Sequence, residues 1–379
     1  MSRVTFDPKE LNVIEMYPPV ISGGKVGNPP VWRLGEMPRF NRPIPPRENW
    51  NFMLRGTKPY WVPFAGLVLS DMRKFRPRLA PDAMANHQLF DGEPPYPFET
   101  EPNVRKGWFD VEWVYDYAAR GATVRPGAPR VTDITCWEEQ ITMPDLDELD
   151  WESCEKNNVK YLEDDRLREL GIQCGFWERL MSLMDVENAA VAMIDEDEKE
   201  GVHRLFDKLA DLYIDFIGRM KDRCDIDAVE LHDDWGHQNG PFFSLDTVRE
   251  MIVPYMRRVV DYCHSCGIWF ELHSCGKNEM LVPAMIETGA DLWCGQIDIN
   301  DLDTIAHQYK DGTLAFGVAG PRVADDATEE EMRSAAKAWV EEFKDCRVAI
   351  NAFFKPLPPV LKDALYEYSR KAWQNIDSE

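Results

Sequence analysis

Residues 228–240 read AVELHDDWGHQNG and residues 269–277 read WFELHSCGK. Each begins with a short, mostly apolar run and breaks at a histidine into polar residues and glycine. Such a run, bounded by turn formers, reads as a buried strand. Upstream, Leu205, Leu209, Leu212, Phe216 and Met220 recur at helical spacing. Between the two strands the pattern predicts one helix from about Leu245 to His264. Its apolar face carries Val248, Met251, Ile252, Tyr255, Met256, Val259 and Val260, with Ser244 as N-cap and Gly267 as the stop. Downstream come helix MLVPAMIET, strand DLWCG (291–295), a short helix near Ile305 and strand LAFGV (314–318). Thr328 with Glu331 forms a capping box that opens the next helix. Strand VAINAFF and a helix from about Val360 close the chain.

Five strands alternating with helices imply parallel pairing through right-handed crossovers. Two α/β folds meet that description, a closed (β/α)8 barrel and an open doubly wound sheet. No Gly-x-Gly-x-x-Gly loop follows any strand, which weakens the dinucleotide-binding form of the open sheet. In a barrel, functional side chains gather where strands end. His232, Asp233, Asp234 and Trp235 follow one strand, His273 and Cys275 end the next, and Cys294 leads to Gln296 in the third. The expected fold is therefore a (β/α)8 TIM barrel with an irregular Pro/Trp-rich N-terminal extension.

The first 150 residues are rich in proline, as in GNPPVWRL, RPIPPREN and DGEPPYPFETEP. Trp32, Trp50, Trp61, Trp108, Trp113 and Trp137 are interleaved with the prolines, and aromatics at that frequency bury. The segment thus reads as packed covering loops, not a linker. Among the 379 residues, 67 acidic against 43 basic side chains give a formal net charge of -24. That balance argues against nucleic acid or an anionic membrane as partner, since both need clustered cations. No apolar stretch approaches a membrane span, and MSRVTFDPKE reads as neither signal nor transit peptide. Nine cysteines in a chain this long do not form a disulfide framework, so a reducing cytoplasm is the expected compartment. The run DEDEKE (195–200) reads as a solvated loop or helix start.

The sharpest chemical signal is His273 with Cys275. Two apart at a strand end, they point to the same side of the pleat, and imidazole with thiolate is a natural zinc pair. The alternative is a buried histidine and an inert cysteine beneath the Gly276 turn. Cys263 and Cys266 cannot join them on one ion. A strand of five or six residues separates the pairs by roughly 15–20 Å, so those two cysteines read as helix packing. The second signal is the Asp233–Asp234 pair, able to act as acid, base, ligand or loop anchor; His232 and His237 remain open. No Gly-x-Ser-x-Gly elbow or phosphate loop is present. Lys277 and Arg322 are the visible cations near the strand ends, so this face does not advertise a polyanionic substrate.

These residues together resemble the uroporphyrinogen decarboxylase superfamily, including its zinc- and corrinoid-dependent methyltransferase branch. PRENWNFMLRGTKPYWVPF resembles the family's opening helix and first barrel strand. The stretch from GWFDVEWVYDY to MPDLDELDWE resembles a segment of its methyltransferase-like members. IDAVELHDDWGHQNGPFFS is similar to a D-D-W-G-x-Q motif, and LHSCGK with IETGADLW to H-S-C-G and I-E-x-G-x-D segments. The resemblance runs from about residue 46 to the end, which implies an extension over 1–45 and a barrel over 46–379. True porphyrinogen decarboxylases carry an arginine-rich R-Q-A-G-R-Y segment for substrate carboxylates. Here ENWNFMLRGTKPYW keeps only Arg55 and Lys58.

The resemblance therefore implies an O-demethylase-like methyltransferase. The methyl group of a small methylated donor, of the methoxylated aromatic kind, passes to the cobalt of a corrinoid (cobalamin) held by a separate protein. It implies Zn2+ on His273 and Cys275, with Cys294 or a carboxylate such as Asp234 or Glu230 as third ligand. The thiol-activating members use a second cysteine in the last strand region, and RVAINAFFKP has none after Cys346. Asp233, Asp234 and His273 are the expected catalytic groups. Trp235, His237, Gln238, Trp293 and Gln296 are the expected substrate contacts, and a homo-oligomer is compatible with the sequence. The rival readings are a decarboxylase, a methyltransferase with a thiol acceptor, and a barrel kept as a ligand-binding scaffold.

Overall fold

A computed structural model describes residues 4–17, 20–21, 33–34, 37–66, 71–94, 96, 98, 103–116, 121–351 and 357–373. Eight strands form its main sheet: β1 (Phe64–Ala65), β2 (Met72–Phe75), β3 (Leu167–Ile172), β4 (Ala228–His232), β5 (Trp269–His273), β6 (Leu292–Trp293), β7 (Ala315–Val318) and β8 (Val348–Asn351). They run in the order β2-β3-β4-β5-β6-β7-β8-β1, every paired neighbour parallel. Between β1 and β2 no ladder forms among the described residues. There the Asp71 N–H donates to the Phe64 carbonyl at 2.9 Å, and the Asp71 carboxylate accepts from the Phe64 N–H and the Trp61 indole. With helices around it, this is the expected (β/α)8 barrel.

The helices used below are α1 (Pro46–Leu54), α2 (Trp151–Leu162), α3 (Phe176–Met184), α4 (Lys199–Cys224), α5 (Leu245–Met251), α6 (Val253–Ser265), α7 (Val282–Thr288), α8 (Leu302–Gln308), α9 (Glu329–Glu342) and α10 (Pro359–Trp373). The Ser244 cap and the Thr328–Glu331 capping box both form. The single helix predicted from Leu245 to His264 is instead α5 and α6, broken at Ile252. Pro254 explains the break: it lacks the N–H that would have continued the α5 hydrogen bonding, and it sits at the start of α6, where none is required. Strands β2 and β3 were absent from the five predicted. Their sequences, MRKF and LRELGI, carry charge on both faces and so show no apolar alternation. Residues 352–354 of the predicted last strand, and Trp32, lie outside the described residues.

Period-two alternation sorts the strand side chains into two separate clusters. Phe75, Leu170, Val229, Leu231, Phe270, Leu272, Trp293, Phe316 and Ile350 face outward and pack against the helices. Ala65, Met72, Leu167, Ala228, Leu292, Ala315 and Ala349 face inward and form the barrel floor, plugged from below by Trp50, Met53 and Leu54 of α1. The Arg347 guanidinium donates to the carbonyls of Met53 and Leu54, tying the C-terminal end of α1 to β8. The expected burial of the N-terminal tryptophans is met by Trp50, Trp61, Trp108, Trp113 and Trp137. Among the described residues no helix is long and apolar enough to cross a membrane.

The plug sets a measurable expectation. Trp50→Ala removes a fully buried indole from the barrel floor, so it lowers unfolding free energy in urea by about 3–5 kcal/mol. Val159→Ala, at an exposed position of α2, changes it by no more than about 0.5 kcal/mol.

Candidate active site

Above the apolar floor the barrel interior is charged. Lys74 of β2 reaches across to Glu169 of β3, with which it forms an ion pair, to Glu230 of β4 at 3.0 Å and to Glu271 of β5 at 3.6 Å. Arg76, one pleat higher, pairs with the other oxygen of Glu230 at 2.8 Å. A side chain on residue 171 would come within 2.3 Å of Arg76 Nε, so β3 carries glycine there. All five charged groups are buried. Burial works against the Lys74 ammonium, but the carboxylates, Glu169 first, hold it well above the ordinary lysine range. Burial likewise works against ionised Glu230, and Arg76 and then Lys74 outweigh it, keeping that carboxyl well below its usual range. Glu169 goes the other way. Burial, and then the nearness of Glu271, push it well above the usual range against the pull of Lys74.

One pleat above the glutamates stand two histidines. His232 and His273 are register partners on β4 and β5, and their rings stack with centroids 3.9 Å apart. Burial, and then the neighbouring His232, push His273 down to about 4. Burial lowers His232 as well, against the opposing pull of Asp234. Both rings are neutral at pH 7, so each has a lone pair to offer. Nε2 of His273 lies 3.3 Å from the Cys275 sulfur and 3.9 Å from Asp234 Oδ1. Asp234 Oδ1 accepts the Cys275 N–H at 2.6 Å and lies 3.8 Å from His232 Nδ1. Glu178, on the first turn of α3, brings Oε2 to 3.6 Å from the same His232 nitrogen. That oxygen is buried and accepts no hydrogen bond. Burial, followed by Asp234, raises the carboxyl of Glu178 and the thiol of Cys275.

Three groups of these atoms lie within 4.8 Å of one another: Glu230 with His232 and His273, Asp234 with His273 and Cys275, and Glu178 with His232 and Asp234. Ligand atoms on a tetrahedral zinc with bonds of about 2.0–2.3 Å stand roughly 3.3–3.7 Å apart, close to the separations seen here. His273, Cys275 and Asp234 are therefore brought together as a nitrogen, sulfur and oxygen donor set. Cys294 joins none of the three groups. It belongs to the barrel interior below, against Gly317 and beside Glu271.

Asp233 and Asp234 directly follow β4, and their side chains point different ways. Asp233 is fully buried, outside the mouth. One oxygen accepts the Glu178 N–H at 2.9 Å and the other the Trp235 indole N–H at 2.8 Å. It thereby caps α3, whose own N-cap, Gly175, has no side chain because a Cβ there would lie 2.5 Å from that of Asp233. Burial raises Asp233 to about 6 against those donated hydrogen bonds. Trp235 and Trp293 are also fully buried, in the outer cluster between strands and helices. His237 and Gln238 are exposed on a two-stranded hairpin, Gly236–His237 with Gly240–Pro241, whose His237 carbonyl accepts the Lys277 N–H. Gln296 accepts the Gly276 N–H at 2.8 Å and so shapes the turn after Cys275.

Glu178, Lys74 and Arg76 were not legible as site residues. Lys74 and Arg76 lie on or directly after β2, and Glu178 on the helix that follows β3, the two strands that the sequence pattern did not reveal. The sequence signal was a repeated grammar: GIQCG before FWE (171–178) has the same strand-to-glycine ending as the other site loops.

Residues 160–351 match the family described as Uroporphyrinogen decarboxylase (URO-D). No curated protein matches the chain by sequence. Among solved structures it is similar to a methyltransferase from Methanosarcina mazei, with TM-score 0.55 and 14% identity over 87% of this chain and 99% of that one. It is also similar to a B12-independent methionine synthase from a Shewanella species, with TM-score 0.34 and 12% identity over 61% of this chain and 67% of that one. At such identities the first likeness speaks for the fold alone.

Two measurements test this assignment of side chains. Asp233→Ala strands two buried donors and lowers unfolding free energy in urea by at least about 2 kcal/mol, whereas half-buried Asp234→Ala costs about 1 kcal/mol. Lys74→Met leaves the glutamates without their shared cation and costs about 3–5 kcal/mol near neutral pH. Without Lys74 the folded-state pKa of Glu169, already above its unfolded value, rises further, so the variant's deficit is smallest at acidic pH and grows as pH rises toward that folded value, which a urea titration at several pH values reads directly.

Proposed function

Because the chain belongs to the uroporphyrinogen decarboxylase family, we propose that its barrel mouth is the active site of a methyltransferase. The methyl group of a methoxylated aromatic compound passes to the cobalt of a reduced corrinoid carried by a partner protein. The observation that supports this most is the donor set: two neutral imidazoles, a thiol and an ionisable carboxyl converging at the ends of β4 and β5. Imidazole, thiolate and carboxylate are zinc ligands, and His273, Cys275 and Asp234 would hold the ion. When bound, zinc supplies a Lewis acid for the ether oxygen.

The remaining work falls to the chain's own groups. An aryl methyl ether breaks with both electrons of the O–CH3 bond staying on oxygen, so a proton must reach the phenolate. Glu178 and Asp234 face the mouth, and Glu178 Oε2 has no other hydrogen bond to surrender. Asp233, with both oxygens engaged by buried donors, serves the reaction by fixing α3 and hence Glu178. Gln296 holds the turn that carries Cys275. Decarboxylation of a polycarboxylate is less well supported. It needs cations free to meet the substrate, and the interior cations Lys74 and Arg76 are bound to glutamates.

The deciding experiment compares anaerobically purified wild type with His273→Ala and Cys275→Ala. Wild type is expected to carry about one zinc per chain, and either variant to weaken its affinity by at least about 100-fold with circular dichroism unchanged. Free cob(I)alamin and methoxylated aromatics then test turnover, read as methylcobalamin absorbance. Wild type that takes up no zinc when supplied with it removes the metal from this reading. Release of CO2 from a porphyrinogen without methyl transfer favours the decarboxylase, and ligand binding with no turnover favours a scaffold.

A further inference from the structure

The β2 and β3 side of the barrel mouth carries a buried acceptor that the proposed chemistry leaves unused. Gln173 is the first residue after β3, and the chain leaving it runs against the end of β4, where the Gly175 N–H donates to the His232 carbonyl at 2.6 Å. Arg76 is the first residue after β2. Backbone hydrogen bonds in both directions between Arg76 and Phe90, at 3.0 and 3.1 Å, lay the Gln88 segment alongside. There Gln88 Oε1 accepts from Arg76 Nη1 and, at 2.9 Å, from Gln173 Nε2. Arg76 Nη2 donates to Glu230 Oε1, and Glu230 groups with both site histidines.

This chain of hydrogen bonds has one polarity. A guanidinium has only donors, so the Gln88 oxygen must face Arg76, and the Gln173 amide must turn its nitrogen toward that oxygen. The Gln173 oxygen is what remains. Gln173 is 9% exposed, its Oε1 is buried, and among the described residues that atom accepts no hydrogen bond. A buried carbonyl left in this way is costly. The backbone beside both glutamines is strained as well. Their neighbours Cys174 and His87 have φ of 64° and 54°, the left-handed region that side-chain-bearing residues seldom adopt. The buried Tyr213 hydroxyl donates to the Cys174 carbonyl at 2.6 Å and fixes that turn. Strain of this kind persists only where its surroundings impose it, and it gathers at ligand sites.

We propose that Gln173 is a specificity-determining residue, whose Oε1 accepts a hydrogen bond from a hydroxyl group on the aromatic ring of the substrate. The inference rests on the methyltransferase reading above and narrows its substrate to a ring that carries a free hydroxyl beside its methoxy group. Oε1 has lone pairs and no proton, so its partner must bring one. A phenol does. A phenolate or a ring carboxylate does not, and the Glu230 carboxylate on the same Arg76 disfavours either anion further. A ring bearing the methoxy group alone leaves Oε1 buried and unpaired, which is why sites built around a substrate hydroxyl reject the analogue without it. Gln88 is a positioning residue. By holding the Gln173 nitrogen it keeps the oxygen turned away from Arg76 and available to the ligand.

The test is equilibrium binding to the full chain, read by titration calorimetry with no corrinoid present. The probes are the methoxyphenol isomers and methoxybenzene. Wild type is expected to bind at least one isomer about 10–100-fold more tightly than methoxybenzene. That preference is lost as pH rises through the phenol pKa, about 10, because the ring then has no proton to donate. In Gln173→Leu the preference shrinks to about threefold or less, and Gln88→Leu reduces it through the freed amide. Equal affinity of wild type for every probe, or a preference that Gln173→Leu leaves intact, overturns the proposal. The wild-type comparison decides the matter even where a variant folds poorly. Methyl transfer to free cob(I)alamin is scored separately. A hydroxyl preference in binding without any methyl transfer keeps the role of Gln173 and removes the methyltransferase reading, whereas equal binding and turnover of methoxybenzene and the methoxyphenols does the reverse. Failure of every ring to bind overturns both.

Discussion

A single ammonium group organises the barrel interior. Lys74 sits where a (β/α)8 barrel ordinarily packs branched aliphatic side chains, and three glutamates from three consecutive strands converge on it. Charge at that depth is tolerated only when paired, so β2, β3, β4 and β5 must hold their register for the cluster to exist. Arg76 extends the network upward by fixing the second oxygen of Glu230, and Gly171 gives it room. The glutamates form the shelf on which His232 and His273 stand. Burial next to that shelf keeps the two rings neutral, and their neutrality makes the mouth a donor site.

Below and around this polar column the structure is conventional. An apolar floor, plugged by Trp50 and its neighbours on α1, shuts the lower end, and a continuous apolar shell joins strands to helices. The column therefore opens toward the strand C-termini, where His273, Cys275, Asp234 and Glu178 end. Just past the end of β4, Asp233 and Asp234 part between shell and mouth. One becomes a helix cap in the shell and the other a mouth residue, although they are neighbours in the chain and chemically identical.

Much of this was readable from residue order. Strands β4 and β5 have the predicted bounds, 228–232 and 269–273, because their outward residues are apolar and their ends are marked by histidine and glycine. The capping residues Ser244 and Thr328 act locally, within one turn, and were equally legible. Strands β2 and β3 escaped because partners distant in the chain satisfy their charges: Arg73 donates to the Tyr161 carbonyl, Lys74 and Arg76 meet Glu230, and Arg168 meets Asp227. A hydropathy pattern cannot see a counter-ion 150 residues away.

The sequence alone thus determined the alternation of strands and helices, the barrel, and His273 with Cys275 at a strand end. These depend on spacing within a few residues and on the strand's two-residue period. Only the tertiary structure decided that Asp234 rather than Asp233 meets the histidines, that Trp235 and Trp293 belong to the shell, and that Glu178 joins the site. Each of those outcomes depends on which strand or helix lies alongside. That is a matter of barrel closure and register, and neither is written in the order of residues near the site.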